Sequence, residues 1–245
     1  MNPVFAASRR DRSEAAMMPT ARSSASRRAL LAWWAAVTAA SLAATLMIAA
    51  PVQAAVPPAA YTAAFQQFQR AAGGDASAIE GAAEQFGKLS ADEPADPVLL
   101  AYSGAATTLR ATITVLPWRR LSYADEGLGQ IDKALSMLTP EHDALLHNHV
   151  PSSLEARFVA ASTFLRLPGM FNRHARGARL LDEVLKSPLF DTAPVGFRAA
   201  VWMRAADEAA GEKRPDDARR WLQQVVASGA PQAPGAQAKL KEMTP

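Results

Sequence analysis

Leu128, Ile131, Leu135 and Leu138 fall at spacings of three and four, the stripe of a helix that buries one side. The first three belong to a longer stretch, Leu116–Leu135 (LPWRRLSYADEGLGQIDKAL), whose order of residues recurs along the chain. A Leu-Pro pair closes one helical pattern, an aromatic and arginine turn follows, and an amphipathic helix ends in Asp-x-x-Leu. Leu167–Leu185 (LPGMFNRHARGARLLDEVL) repeats that order.

The same periodicity predicts helices on either side. Tyr61, Phe65, Phe68 and Ala72 share a face, and Gly73-Gly74 stops it. Asp75 caps a second helix with Ile79, Ala82, Phe86 and Leu89 inward. Asp96-Pro97 opens a third, a cap followed by the proline favoured at the first helical position, running through Leu100, Gly104, Thr107 and Ala111. Thr107, Thr108, Thr112, Ile113, Thr114 and Val115 favour extended backbone, but no partner strand is visible, so a helix is predicted. After the helix stopped at Thr139-Pro140, Glu141–Val150 reads as a connector with one helical turn. A fifth helix starts at Pro151-Ser152-Ser153 with Leu154, Phe158, Ala161 and Leu165 inward. A sixth carries Ala175, Ala178, Leu181 and Leu185, a seventh Phe197, Val201 and Ala205, and an eighth, opened by Arg214-Pro215-Asp216, buries Ala218, Leu222 and Val225. Residues 229–245 are a loop and a short tail helix.

The first 54 residues read as an export signal rather than fold. Arg9, Arg10, Arg12, Arg22, Arg27 and Arg28 precede an apolar run of 22 residues, Ala29–Ala50, and Pro51-Val52-Gln53-Ala54 offers a cleavage site after Ala54. Ser26-Arg27-Arg28-Ala29-Leu30-Leu31 is similar to a twin-arginine signal, against an ordinary secretory leader. If uncleaved, residues 29–50 are long enough to tether the chain in the inner membrane. Residues 55–60 are a linker, residues 61–228 the helical domain. The protein is therefore expected to be periplasmic or secreted.

The predicted helices form four pairs whose second members align at Phe86, Ile131, Leu181 and Leu222, steps of 45, 50 and 41 residues. Ala82 and Phe86, with Pro94 after the helix, and Gly127, Ile131 and Ala134 place small and large residues at matching offsets in the second helices. In this the chain resembles the tetratricopeptide-like helical repeats, in a divergent form with connectors longer than the roughly 34-residue unit. The resemblance implies an all-α, right-handed solenoid of about four hairpins, with a groove lined by the first helix of each pair and holding another envelope protein or peptide. On those helices stand Tyr102, Arg110, Arg157, Arg166, Arg198, Trp202 and Arg204. A groove rich in arginine suits acidic segments or a terminal carboxylate; alternatively these arginines are solvated and paired with nearby acids.

Charge and cysteine content narrow the function. The whole chain holds 26 Lys and Arg against 23 Asp and Glu, but the leader takes six of the bases and two of the acids, leaving 20 against 21. That balance lacks the basic excess that phosphate binding demands, which argues against nucleic acid. The chain has no cysteine, so disulfides, thiolate metal sites, thiol nucleophiles and lipoprotein acylation are excluded. No glycine-rich phosphate loop, Gly-x-Ser-x-Gly elbow or His-Glu-x-x-His pair occurs, so neither an enzyme nor a cofactor is expected.

Two clusters remain as candidates. Glu141, His142, Asp143, His147 and His149 combine imidazole and carboxylate, ligands for a divalent metal, although the interval from His142 to His147 does not suit one helical face. The other reading is a polar connector. Trp118, Arg119, Arg120 and Tyr123 follow Pro117, where they could bind an anionic partner. We expect instead that Trp118 sits in the core between hairpins, covered by the arginine stems. Arg173, His174 and Arg176 form the equivalent corner of the next pair. The functional expectation is a non-enzymatic envelope binding or scaffold protein. The alternative is a small-molecule or metal-handling accessory of a transport system with an enclosed helical pocket.

Overall fold

The computed structural model describes residues 58–144, 146–147 and 149–243. The leader, its cleavage site and the linker up to residue 57 lie outside the described residues. Among the described residues there are nine α-helices: α1 Pro58–Ala72, α2 Ala76–Asp92, α3 Pro97–Ile113, α4 Pro117–Ser136, α5 Ser152–Phe164, α6 His174–Lys186, α7 Val195–Gly211, α8 Pro215–Ala227 and α9 Ala233–Glu242. They pack in sequential pairs, α1 on α2, α3 on α4, α5 on α6 and α7 on α8, with α9 laid on α8. The pairs are joined through α2 on α3 and α3 on α5.

Local signals account for most boundaries. Asp75 accepts from Ser77 N at 3.0 Å, and Asp96 accepts from Val98 N at 2.8 Å and Leu99 N at 3.1 Å, each satisfying amides that a helix start leaves free. The threonine-rich end of α3 is helical as far as Ile113, and Thr114 turns extended. α4 departs from the sequence reading. It begins at Pro117, so Trp118–Tyr123 form its first turns rather than a separate turn. Proline at the first helical position is preset for the helix and gives up an amide that would have no partner there. The connector also holds more than one helical turn. A 3-10 turn at Pro140–Asp143 is followed by a hairpin of two-residue strands, Leu146–His147 (β1) and Val150–Pro151 (β2), with His147 opposite Val150.

α3 sits at the centre. Almost every residue from Pro97 to Thr108 is buried, as expected of a helix with neighbours on all sides. Its approach to α4 is very close at Gly104 and Gly127. A Cβ on Gly104 would lie 2.6 Å from the Gly127 carbonyl, and one on Gly127 would collide with Thr108 and the Gly104 carbonyl. By contrast α6 and α8 bury single stripes, Gly177, Leu180, Leu181 and Val184 in one and Ala218, Leu222 and Val225 in the other.

The main core gathers Phe86, Leu99, Ile131, Leu154 and Phe164, all fully buried. A second cluster of Ala199, Ala206, Leu222, Val225, Ala230 and Ala236 unites α7, α8 and α9, so helical packing continues beyond residue 228. Trp202 and Trp221 pack against both clusters.

Candidate functional site

The deepest polar feature was not legible in the sequence. Glu155, in the first turn of α5, is only 3% exposed. Its Oε1 accepts two hydroxyls, Tyr61 OH of α1 at 2.7 Å and Tyr102 OH of α3 at 2.8 Å. Aromatic packing holds Tyr102 in place: Phe86 stacks on it at 4.7 Å, and Phe68 meets it edge-on at 5.0 Å. Tyr102 is therefore an interior residue and not a groove-lining one.

Beside this triad, His147 Nε2 lies 2.6 Å from Asp96 Oδ2, and the imidazole is 5.1 Å from the Tyr61 ring. Asp96 uses its other oxygen to cap α3, so one side chain starts a helix and clasps the β-hairpin. At the foot of the connector the Ser153 hydroxyl donates to Asp143. The result is a polar knot joining α1, α3, α5 and the hairpin.

Its electrostatics follow from burial. Desolvation pushes the Glu155 carboxyl up from 4.5 to about 7, against the opposing pull of the two tyrosine hydroxyls and of His147. Burial and the charge of Glu155 push both phenols well above their ordinary value. Burial alone would raise Asp96, but the hydrogen bond and charge of His147, with the two capping amides, bring it below the ordinary carboxylate value. Burial alone would lower His147, but Asp96 and the charge of Glu155 raise it. Glu155 Oε2 has no hydrogen-bond partner among the described residues. Its carboxyl is poised to exchange a proton near neutrality, but it is sealed from solvent.

The histidines expected to form a metal cluster are given separate tasks. His147 clasps Asp96, while His142 Nδ1 accepts from Thr139 N at 3.0 Å and caps the 3-10 turn. His149 is exposed at a turn with φ 66°. Among the described residues, no three His, Asp or Glu side chains converge in a way that could hold a metal ion.

The groove arginines are also engaged. Arg110 Nε lies 3.0 Å from Glu80 Oε2 and its guanidinium stacks over Tyr123 at 4.5 Å. Arg157 donates to the Ser153 carbonyl at 3.2 Å and lies 3.9 Å from Glu183. Arg198 stands over the Trp202 ring at 5.6 Å. At the second corner, Arg173 grips Asp132 through two nitrogens, at 2.9 and 3.3 Å, and Arg176 adds a third contact at 2.5 Å, tying α6 to α4. Both guanidinium groups lie over the Phe164 ring. His174 Nε2 lies 3.0 Å from Glu208.

The first corner behaves differently. Trp118, expected in the core, is 67% exposed because none of the described helices covers the start of α4. Arg119 and Arg120 are exposed beside it, and Arg120 Nε donates to the Thr114 carbonyl at 2.7 Å. Between α2, α3 and α4 a polar cleft of about 430 Å³ is lined by Glu80, Glu84, Glu126, Ser103, Gln130 and Arg110 among others. Fold and site together define an all-helical domain of nine described helices packed in sequential pairs around a buried carboxylate knot. Comparison with protein-family profiles, curated proteins and solved structures finds no significant match to this chain.

Proposed function

We propose that this protein is a non-enzymatic binding or scaffold protein of the envelope, a divergent tetratricopeptide-like, right-handed stack of hairpins that holds a polypeptide segment. The reading is supported by the packing of first helix on first helix from α1 through α3 to α5. It is also supported by the close Gly104–Gly127 crossing, where such repeats place small residues. The observation that carries it is the open polar cleft across α2, α3 and α4, which lies mainly on the second helices of the first two pairs rather than on the first-helix face that the resemblance implies. Three glutamates there outnumber one arginine, and that arginine is already paired with Glu80. The segment that fits is therefore one carrying lysine or arginine, received by glutamates on a wall where the Ser103 hydroxyl donates to Gln130 Oε1 at 3.1 Å. This replaces the acidic partner that the arginine count suggested. The envelope location rests on the leader sequence. The metal-accessory alternative gains no support from a convergent donor set among the described residues.

The test is a photo-crosslinking residue placed at Gln130 in the native envelope, compared with one at the exposed Gln224 of α8. A polypeptide adduct at 130, absent at 224 and lost with Glu84→Lys and Glu126→Lys, is the expected result. No polypeptide adduct at 130, or one indifferent to the charge reversal, refutes the reading.

A further inference from the structure

We propose that the α3–α4 corner is a membrane-docking tip, which places Val115, Trp118 and Leu121 in the interface of an anionic bilayer and Arg119 and Arg120 against its lipid phosphates. Of the large hydrophobic side chains exposed among the described residues, four fall within nine positions here: Ile113 at 36%, Val115 at 83%, Trp118 at 67% and Leu121 at 49%. Scattered exposed apolar residues need no explanation, but a run confined to one corner marks a contact surface. The backbone forms the tip. α3 stops at Ile113, Thr114 and Leu116 are extended, and α4 starts at Pro117, so Val115 stands at the apex and Trp118 and Leu121 lie one turn apart on the emerging helix.

Charge decides between occupants. No aspartate or glutamate occurs from Pro97 to Ala124, and that span holds three arginines, Arg110, Arg119 and Arg120. Arg110 is neutralised by Glu80, whereas Arg119 and Arg120 have no carboxylate partner among the described residues. An apolar tip with two unneutralised guanidinium groups complements an anionic headgroup layer: tryptophan favours the headgroup level, aliphatic chains reach the acyl boundary, and arginine pairs with phosphate. A bilayer accepts such a projecting corner without a matching pocket, which a protein partner would have to supply. The contact is interfacial, since no described helix is long and apolar enough to cross a membrane. It is independent of the cleft and of the leader.

The chain has no cysteine, so a single one introduced as Val115→Cys can carry an environment-sensitive fluorophore without competition, with Gln224→Cys on α8 as the control. Both are titrated with phosphatidylcholine vesicles with and without about 30% phosphatidylglycerol. The label at 115 should shift to the blue and brighten on the anionic vesicles while the label at 224 stays silent. Neutralising the pair with Arg119→Gln and Arg120→Gln should weaken vesicle affinity about thirty-fold, from roughly five-fold per charge. Leu121→Asp should weaken it further, with an unchanged circular dichroism spectrum confirming the fold. No change at 115 on anionic vesicles overturns the proposal, as does a change indifferent to both arginines. A blue shift that appears without vesicles as protein concentration rises would mean a second copy covers the tip, and overturns it too.

Discussion

Raising the pH through neutrality should loosen this fold, and Glu155 supplies the reason. Its carboxyl is held at about 7 in the folded chain against an ordinary value of 4.5, chiefly because burial penalises its charge. A raised folded value means that the native state binds the proton more tightly than the unfolded chain does. The associated stability is thus fully present below 4.5 and is lost as pH climbs through about 7. At about 1.4 kcal/mol per pH unit the difference amounts to roughly 3 kcal/mol. His147 acts in the same direction: its folded value is raised, so its contribution is present below 6.5 and fades as pH rises past the folded value. Asp96 acts oppositely, since its folded value is lowered and its contribution disappears as pH falls below 3.8. Stability should therefore peak in mild acid. About one pH unit of that loss already lies below pH 5.5, so roughly 2 kcal/mol remains between about pH 5.5 and about pH 8.5, which for a domain of this size corresponds to a melting temperature roughly 4–8 °C lower at the higher pH. Thermal unfolding followed by far-UV circular dichroism reads this directly. Glu155→Gln, which keeps an oxygen for both tyrosines but cannot ionise, should remove most of the slope and leave only the His147 part. A wild-type melting temperature that is flat or rising over that window, or a Glu155→Gln variant as steep as wild type, would refute the reasoning.

Two further outcomes test the interior. Tyr102→Phe leaves Glu155 with the Tyr61 hydroxyl as its one phenolic donor, so the midpoint of the alkaline loss should move upward; a cost of about 1.5–3 kcal/mol at about pH 8.5, where the carboxyl is ionised, measured by urea unfolding, is expected for a hydrogen bond to a charged group. Gly127→Ala should cost about 1–3 kcal/mol because its Cβ meets the Gly104 carbonyl and Thr108. Gly129→Ala, two residues on and with nothing within 4 Å, should instead stabilise by up to about 1 kcal/mol. Equal effects at the two glycines in urea titrations would show that the α3–α4 crossing is not tight.

What the chain decides locally was legible in its residues. Asp75 and Asp96-Pro97 announce helix starts because the cap and the amides it satisfies lie within three positions. The stripe of α8, Ala218, Leu222 and Val225, shows which side faces inward because 3.6-residue periodicity needs only one helix to be visible, whereas in α6 the expected face of Ala175, Ala178, Leu181 and Leu185 is turned, and Gly177, Leu180, Leu181 and Val184 are buried instead. Small residues at Gly104 and Gly127 were seen, though not that they face each other. The burial of Glu155 could not be read, since its partners are 94 and 53 residues away and nothing in α5 itself compensates a carboxylate. The hairpin at 146–151 was missed because two-residue strands are too short to alternate. Trp118 was misplaced for a related reason. A large aromatic is expected inside on average, but whether a neighbour arrives to cover it depends on how the hairpins stack, and among the described residues none does. Sequence by itself determined the helices, most of their ends and several of their inward stripes, because those depend on contacts a few residues apart. Tertiary structure alone decided which polar groups are sealed in and which apolar ones are left out, because both depend on surfaces brought together from distant parts of the chain.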